Sequence, residues 1–438
     1  MSKKNLDTTY PKEQQIYSLS FSANSAFNLS WDQTNCEGGM NEMQAYVSKV
    51  SNLVLEDTKA FLGSDWQRVW GPVVYADDPT SKSVHADNTM GLYYSKSGKL
   101  FVAAIAGTNL NSPFGWFVED FSVNDTVTWE SISGAANSGS IAKGTSIGLN
   151  ILLNMKDPKT GLQMMDALKN FIENNSIAKG TEVAVAGHSL GGALSPVLAL
   201  YLQNKQSRWD PNGLTIIGAY PTAGPTPGTS KFAKYYEKLI KQKKIIYVSR
   251  HNALDIVPHA WQASDISEIP TIYADYIEDP KGANPTKVVN GTLACAAALN
   301  ALAVKINYKG KEIPFYNPYT QISPSTLLQG TFDSDLDDSI NDKLSLIGLV
   351  IPKLKTYAPY FRNLVRFAAQ AGTQHTTAYN TLLSISEFME VYDQILKDNK
   401  PANNINMSPE ELSVMELTRL DLQNIDEKTL EKALKEQG

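Results

Sequence analysis

Residues 183–202 form a run of 20 without a single Asp, Glu, Lys or Arg. A helix of that length could cross a bilayer. Gly187, Gly191, Gly192, His188, Ser189 and Pro196 all fall inside the run, however, and unpaired backbone has no place in a lipid core. A buried strand, a tight turn and a buried helix fit the same residues. No other segment reaches spanning length, so no stable membrane span is expected. The run instead requires a protein large enough to enclose a strand and a helix on all sides. A chain of 438 residues with 42% hydrophobic and 19% charged residues has that globular composition.

The surrounding sequence repeats the same rhythm. An apolar run at 100–106 predicts a strand. Met165, Leu168, Phe171 and Ile172 share one helical face within 162–174. A strand at 182–186, a helix at 190–203 and a strand at 214–220 follow. A second helical face lies within 231–240, and a strand at 245–249 closes the series. Strands alternating with helices at this spacing mean a largely parallel sheet with helices on its faces. Upstream, helical spacing predicts a helix over 43–62, and 73–75 and 91–95 read as short strands. Residues 1–40 read as polar and irregular. The rhythm stops after Pro258. Residues 262–345 read as an insertion over the sheet, either a cap or a separately packed subdomain, around an Ala-rich helix at 292–306. Helical stretches are expected over 339–367, broken at Pro352 and Pro359, and over 376–396. Ser408-Pro409-Glu410-Glu411 is a capping box that starts another helix, and 427–438 reads as a charged surface helix.

Gly187-His188-Ser189-Leu190-Gly191 fits G-x-S-x-G. The strand before it and the apolar helix after it are the setting of a nucleophile elbow, where a serine sits on a strained strand-to-helix turn. The residues two before and two after the serine come too close to one another for a β-carbon. A glycine-rich helix–sheet contact with an incidental serine is the plainer alternative. A serine needs a base, and on such an elbow the chain order is serine, acid, histidine. That order excludes His85 and His188 from the base role and leaves His251, His259 and His375. His188 reads as a packed or hydrogen-bonded neighbour of the nucleophile. Asp255, just past the strand at 245–249, is the candidate acid. His375, in Gly372-Thr373-Gln374-His375, reads as a loop residue ahead of a helix and is favoured as base over His259. The backbone N–H of Leu190 and that of Thr108, in Gly107-Thr108-Asn109, are the candidate oxyanion donors. Phe114, Trp116, Phe117 and Phe121 crowd one loop; they are either core or a hinged lid, placed at 109–121, over an acyl pocket.

Taken together, Ala106-Gly107-Thr108, the stretch around Trp116, Gly187-His188-Ser189-Leu190-Gly191-Gly192-Ala193, residues 221–228, Asp255-Ile256-Val257-Pro258 and His375 resemble the class 3 lipases, the filamentous-fungal triacylglycerol lipase type. The resemblance covers roughly residues 100–379. It implies an α/β-hydrolase fold over one domain, a Ser189–His375–Asp255 triad, hydrolysis of acylglycerols or phospholipids, and a mobile helical lid after the oxyanion loop. Triacylglycerol lipase is the leading expectation. Phospholipase A1 or galactolipase comes next, then a broad esterase, with a catalytically silent binding protein as the remote alternative. The chemistry needs no metal or organic cofactor.

The net charge of −6 carries no basic block, which argues against nucleic acid as a partner. Cys36 and Cys295, the two cysteines, can build neither a disulfide framework nor a multi-thiolate zinc site. The resemblance points to secretion, although no apolar run of signal-peptide length follows the basic start of the sequence. The expected partner is a lipid ester, met at a lipid–water interface.

Overall fold

The structure, a computed structural model, describes residues 9–27, 29–32, 38–80, 83–107, 125–266, 268–277, 319–339 and 358–401. Its centre is an eight-stranded sheet. Seven of the strands are β1 (Trp66–Tyr75), β2 (Asn88–Ser95), β3 (Leu100–Ile105), β4 (Thr181–His188), β5 (Thr215–Thr222), β6 (Ser249–Asn252) and β7 (Ser325–Leu328). They lie side by side in chain order. The eighth, Ile246–Tyr247, pairs with β5 just ahead of β6. Strand β2 runs antiparallel to its neighbours β1 and β3, and β3 through β7 run parallel.

This order decides where the helices go. Crossovers between parallel strands are right-handed, so a sheet built outward in one direction receives all of its crossover helices on one face. Helices α3 (Lys143–Asn154), α4 (Met164–Asn174), α5 (Leu190–Asn204) and α6 (Ser230–Lys241) pack there, with Leu152, Leu168, Leu194, Val197 and Phe232 against Phe101, Ala103, Val183 and Val185. The intervening side chains Leu100, Val102, Ala104, Ala184 and Ala186 point to the other face, as strand pleating requires. Chain ends cover that face. Helix α1 (Lys12–Ser22) supplies Ile16, Tyr17, Leu19 and Phe21, α2 (Gly38–Asp57) supplies Val50 and Val54, and α9 (Ser386–Asp398) supplies Phe388, Tyr392 and Ile395. With both faces covered, β3 and β4 are buried along their whole lengths, which is why they read as continuous apolar runs.

Four expectations need correction. Residues 1–40 are not irregular throughout, since α1 lies within them. Its sequence interleaves serines with apolar residues, and Ser18 and Ser20 are themselves buried, so no polar face marks its period. The segment 262–345 is not wholly an insertion over the sheet, because β7 within it pairs in parallel with β6 along Ser249–Asn252; residues 278–318 and 340–345 lie outside the described residues. As a short edge strand with Leu327 exposed, β7 carries no alternation to betray it. His375 is not in a loop; it ends α7 (Ala358–His375). Pro359 sits in the first turn of that helix, where a missing N–H is tolerated, and Gln370 and Gln374 are fully buried, which hides the helical pattern. The single helix expected at 376–396 is two, α8 (Ala378–Leu382) and α9, parted where Ser384 takes φ +57°. The Ala-rich segment 292–306 and everything beyond 401 lie outside the described residues.

The uncharged run resolves into the end of β4, a turn and α5, and among the described residues no helix is long and apolar enough to cross a membrane.

Candidate active site

Strand β4 ends at His188 and α5 begins at Leu190. Between them Ser189 takes φ +60° and ψ −122°. A side-chain residue held there costs about 1–3 kcal/mol and persists only where its surroundings enforce it. Here Ser189 N donates to Thr222 O at 3.1 Å, and Ser189 O accepts from Ala193 N at 3.1 Å. Gly187 and Gly191 permit the turn. A β-carbon on Gly187 would strike the Gly191 backbone, and one on Gly191 would come within 2.6 Å of Ile105 O. The Leu190 N–H, at the first position of α5, belongs to the set of amino-terminal donors without an intrahelical partner.

Asp255 follows β6 by three residues, and its N–H closes a turn on Asn252 O at 3.0 Å. Its carboxylate is fully buried. Four contacts hold it: His375 Nδ1 at 2.9 and 3.0 Å from its two oxygens, the Tyr379 hydroxyl at 2.8 Å and Val257 N at 3.0 Å. His375 Nε2 lies 2.8 Å from Ser189 Oγ. These contacts fix the proton positions. A carboxylate only accepts, so the imidazole carries its proton on Nδ1. Nε2 is therefore the acceptor aimed at the serine hydroxyl. Three side chains spread over 186 residues of sequence thus meet at the carboxyl ends of parallel strands, the edge at which open α/β sheets place their ligands.

The other histidines are occupied elsewhere. His251 Nδ1 lies 2.7 Å from Ser325 Oγ, and His259 Nδ1 donates to Asp265 O at 3.2 Å. His188 supports the base rather than replacing it. Its Nε2 is 2.6 Å from the backbone carbonyl of His375. A carbonyl only accepts, so Nε2 carries the proton, and Nδ1 receives the Thr222 hydroxyl at 3.1 Å. The His188 ring also packs against that of His375, tilted by 34° with centroids 4.9 Å apart. Burial, then the neighbouring His375, push the His188 pKa well below the ordinary histidine value. The unfolded chain therefore takes up a proton at His188 that the native state refuses. Stability should be fully present above about pH 6.5 and decline below it, by up to about 1.4 kcal/mol per pH unit for this group. Burial lowers His85 and His251 in the same direction. Denaturant titrations of the wild type and His188→Gln between pH 6.5 and 5 should give a steeper loss for the wild type. Parallel curves would show that His188 takes up its proton in the native state as readily as in the unfolded chain.

Reasoning from sequence gave no role to Tyr379, Asn252 or Gln374. Tyr379 accepts the Asn252 N–H at 2.8 Å and so has its own proton free for Asp255. Asn252 Nδ2 donates to Gln374 O and Oε1 at 3.0 and 2.7 Å, tying the end of β6 to the last turn of α7. Tyr379 lies four residues after His375, just past the turn between α7 and α8, and that closeness in sequence is the one signal that could have found it. Thr108 and the aromatic residues Phe114, Trp116, Phe117 and Phe121, with the whole of 109–121, lie outside the described residues. Gly107 lies within them: a β-carbon there would sit 3.4 Å from Ser189 Cβ.

With this geometry in place, known proteins can be compared. The family model described as Lipase (class 3) matches residues 106–264, a span that holds the elbow and Asp255. Over that span the chain is similar to the class 3 lipases. The crystal structure of M37 lipase is similar at 25% identity and a TM-score of 0.61, over 89% of this chain and 98% of that one. Lipase II from Rhizopus niveus is similar at 18% identity over 54% of this chain and 79% of that one, with a TM-score of 0.34. No curated protein sequence matches. The chain has the α/β-hydrolase fold, its mostly parallel sheet flanked by helices, and is a serine carboxylic ester hydrolase acting on lipid esters.

Proposed function

We propose that this lipase hydrolyses triacylglycerols through an acyl-enzyme on Ser189. The observation that carries the reading is the continuous relay from Asp255 through His375 to Ser189 Oγ, with every link between 2.8 and 3.0 Å. As Oγ attacks the ester carbonyl, its proton passes to His375 Nε2. Asp255 holds the tautomer and stabilises the imidazolium. The Leu190 and Thr108 N–H groups receive the negative charge that develops on the carbonyl oxygen. The imidazolium then protonates the departing diacylglycerol alkoxide. Water, deprotonated by the same nitrogen, releases the fatty acid and restores the serine. The aromatic segment 109–121 acts as the lid and opens against a lipid surface.

The test is a rate profile of the purified enzyme on emulsified triacylglycerol, phosphatidylcholine, a galactolipid and p-nitrophenyl esters of graded length. Triacylglycerol should be fastest, and its rate should jump once it passes its solubility limit. A phospholipid or galactolipid turned over fastest would reassign the enzyme to those lipids. A smooth rate curve through the solubility limit would remove the lid from the mechanism.

A further inference from the structure

The end of strand β3 is held by a side chain from the turn that follows α1. Gly107 N donates to Asn24 Oδ1 at 2.7 Å. The orientation of the amide is unambiguous, because Asn24 Nδ2 donates to Phe21 O at 3.1 Å. A backbone N–H only donates and a carbonyl only accepts, so the flipped amide would lose both bonds. The turn that presents Asn24 is itself closed by Asn24 N to Phe21 O at 3.1 Å and Phe27 N to Asn24 O at 2.9 Å.

Helix α1 is clamped at both ends. Lys12 Nζ reaches the buried Glu182 on β4 at 2.7 Å. At the other end the Tyr392 hydroxyl donates to Ser22 O at 3.1 Å, and the Phe21 ring packs 4.8 Å from that of His188. Asn24 is therefore fixed relative to the elbow rather than to a movable tail. What it fixes lies in the reaction site. Gly107 sits against His188 O and Ser189, and Thr108 is the next residue along the chain.

We propose that Asn24 is a positioning residue of the acyl-transfer site. Its amide oxygen sets the peptide plane entering Gly107, and with it the strand end from which the second oxyanion donor extends. This rests on the proposed function, with Ser189 as the nucleophile and Thr108 as the second oxyanion donor. An oxyanion donor acts on charge present in the transition state and absent in the bound ester. Loss of its support should therefore lower kcat and leave KM nearly unchanged.

The experiment compares Asn24→Leu, which keeps the volume and removes the acceptor, with Asn24→Asp, which keeps an acceptor, and with Asn24→Ala. Each is assayed on a soluble p-nitrophenyl ester, with kcat expressed per serine labelled by a fluorophosphonate, so that unfolded enzyme drops out. Asn24→Leu and Asn24→Ala should lose about 10- to 100-fold in kcat, somewhat less than deletion of a direct donor, with KM within about twofold. Asn24→Asp should recover at least tenfold over Asn24→Leu. A purely structural role would lower the melting temperature of all three and leave kcat per labelled serine alone. That result, or Leu and Asp variants of equal kcat, overturns the proposal. Ser189→Ala assayed alongside separates the two ideas: if it stays active the nucleophile itself is wrong, and if it is dead while Asn24→Leu is fully active only the role of Asn24 falls.

Discussion

Ser189→Ala should lower kcat by about 10⁶, the scale seen when the nucleophile of a serine hydrolase is removed. It should also abolish labelling by a fluorophosphonate. The size follows from the geometry. Oγ is the atom that His375 Nε2 addresses at 2.8 Å, and among the described residues no neighbouring hydroxyl is placed to take over. The Thr222 hydroxyl is committed to His188, and that of Tyr379 to Asp255. Folding should change little, because alanine meets the same backbone cost at φ +60° that serine already bears. A loss under tenfold on a p-nitrophenyl ester, with the variant folded, would show that Ser189 is not the nucleophile.

Asp255→Asn should cost about 10⁴ in kcat, comparable to the same change in another Ser-His-Asp enzyme. Oδ1 of Asp255 accepts Val257 N at 3.0 Å and also lies 3.0 Å from His375 Nδ1, while Oδ2 meets His375 Nδ1 at 2.9 Å and the Tyr379 hydroxyl at 2.8 Å. An asparagine that keeps the Val257 bond must place its NH₂ where Oδ2 stood. That group donates to Nδ1, drives the imidazole proton onto Nε2 and turns it towards the serine as a donor. Two donors, the new amide and the Tyr379 hydroxyl, would then also face each other in a fully buried place. Stability should fall by about 1–3 kcal/mol for the group left unsatisfied. The checks are kcat on the same ester and a urea midpoint. Activity within a factor of 100 of wild type would mean that His375 takes its orientation from elsewhere, with His188 as the first alternative.

Both effects rest on residues that local chemistry made visible in different degrees. The elbow was readable because its requirements are contiguous: a strand, two glycines that must touch, a serine and an apolar helix occur within a few residues. Asp255 was readable as a residue just beyond a strand end. His375 was named by its place after the acid in the chain, but its setting was misread, because the last turns of its helix bury Gln370 and Gln374, which blurs the apolar spacing there. Helix α1 and strand β7 were missed for related reasons. One is buried on every side, and the other is an exposed edge too short to alternate.

The amino-acid sequence by itself determined the alternation of strands and helices, the place of the nucleophile turn, and an acid and a base in an order that allows a relay. These follow from periodicity, glycine sterics and chain order, which act over a few residues or along the chain. Only the tertiary structure decided which histidine reaches the serine, which way each imidazole proton points, and that Tyr379, Asn252, His188 and Asn24 hold the parts in place. Those choices depend on hydrogen bonds of about 3 Å between residues as far as 187 positions apart. A donor and an acceptor at that separation leave no mark on local sequence; their pairing exists only once the sheet has brought its strand ends to a common edge.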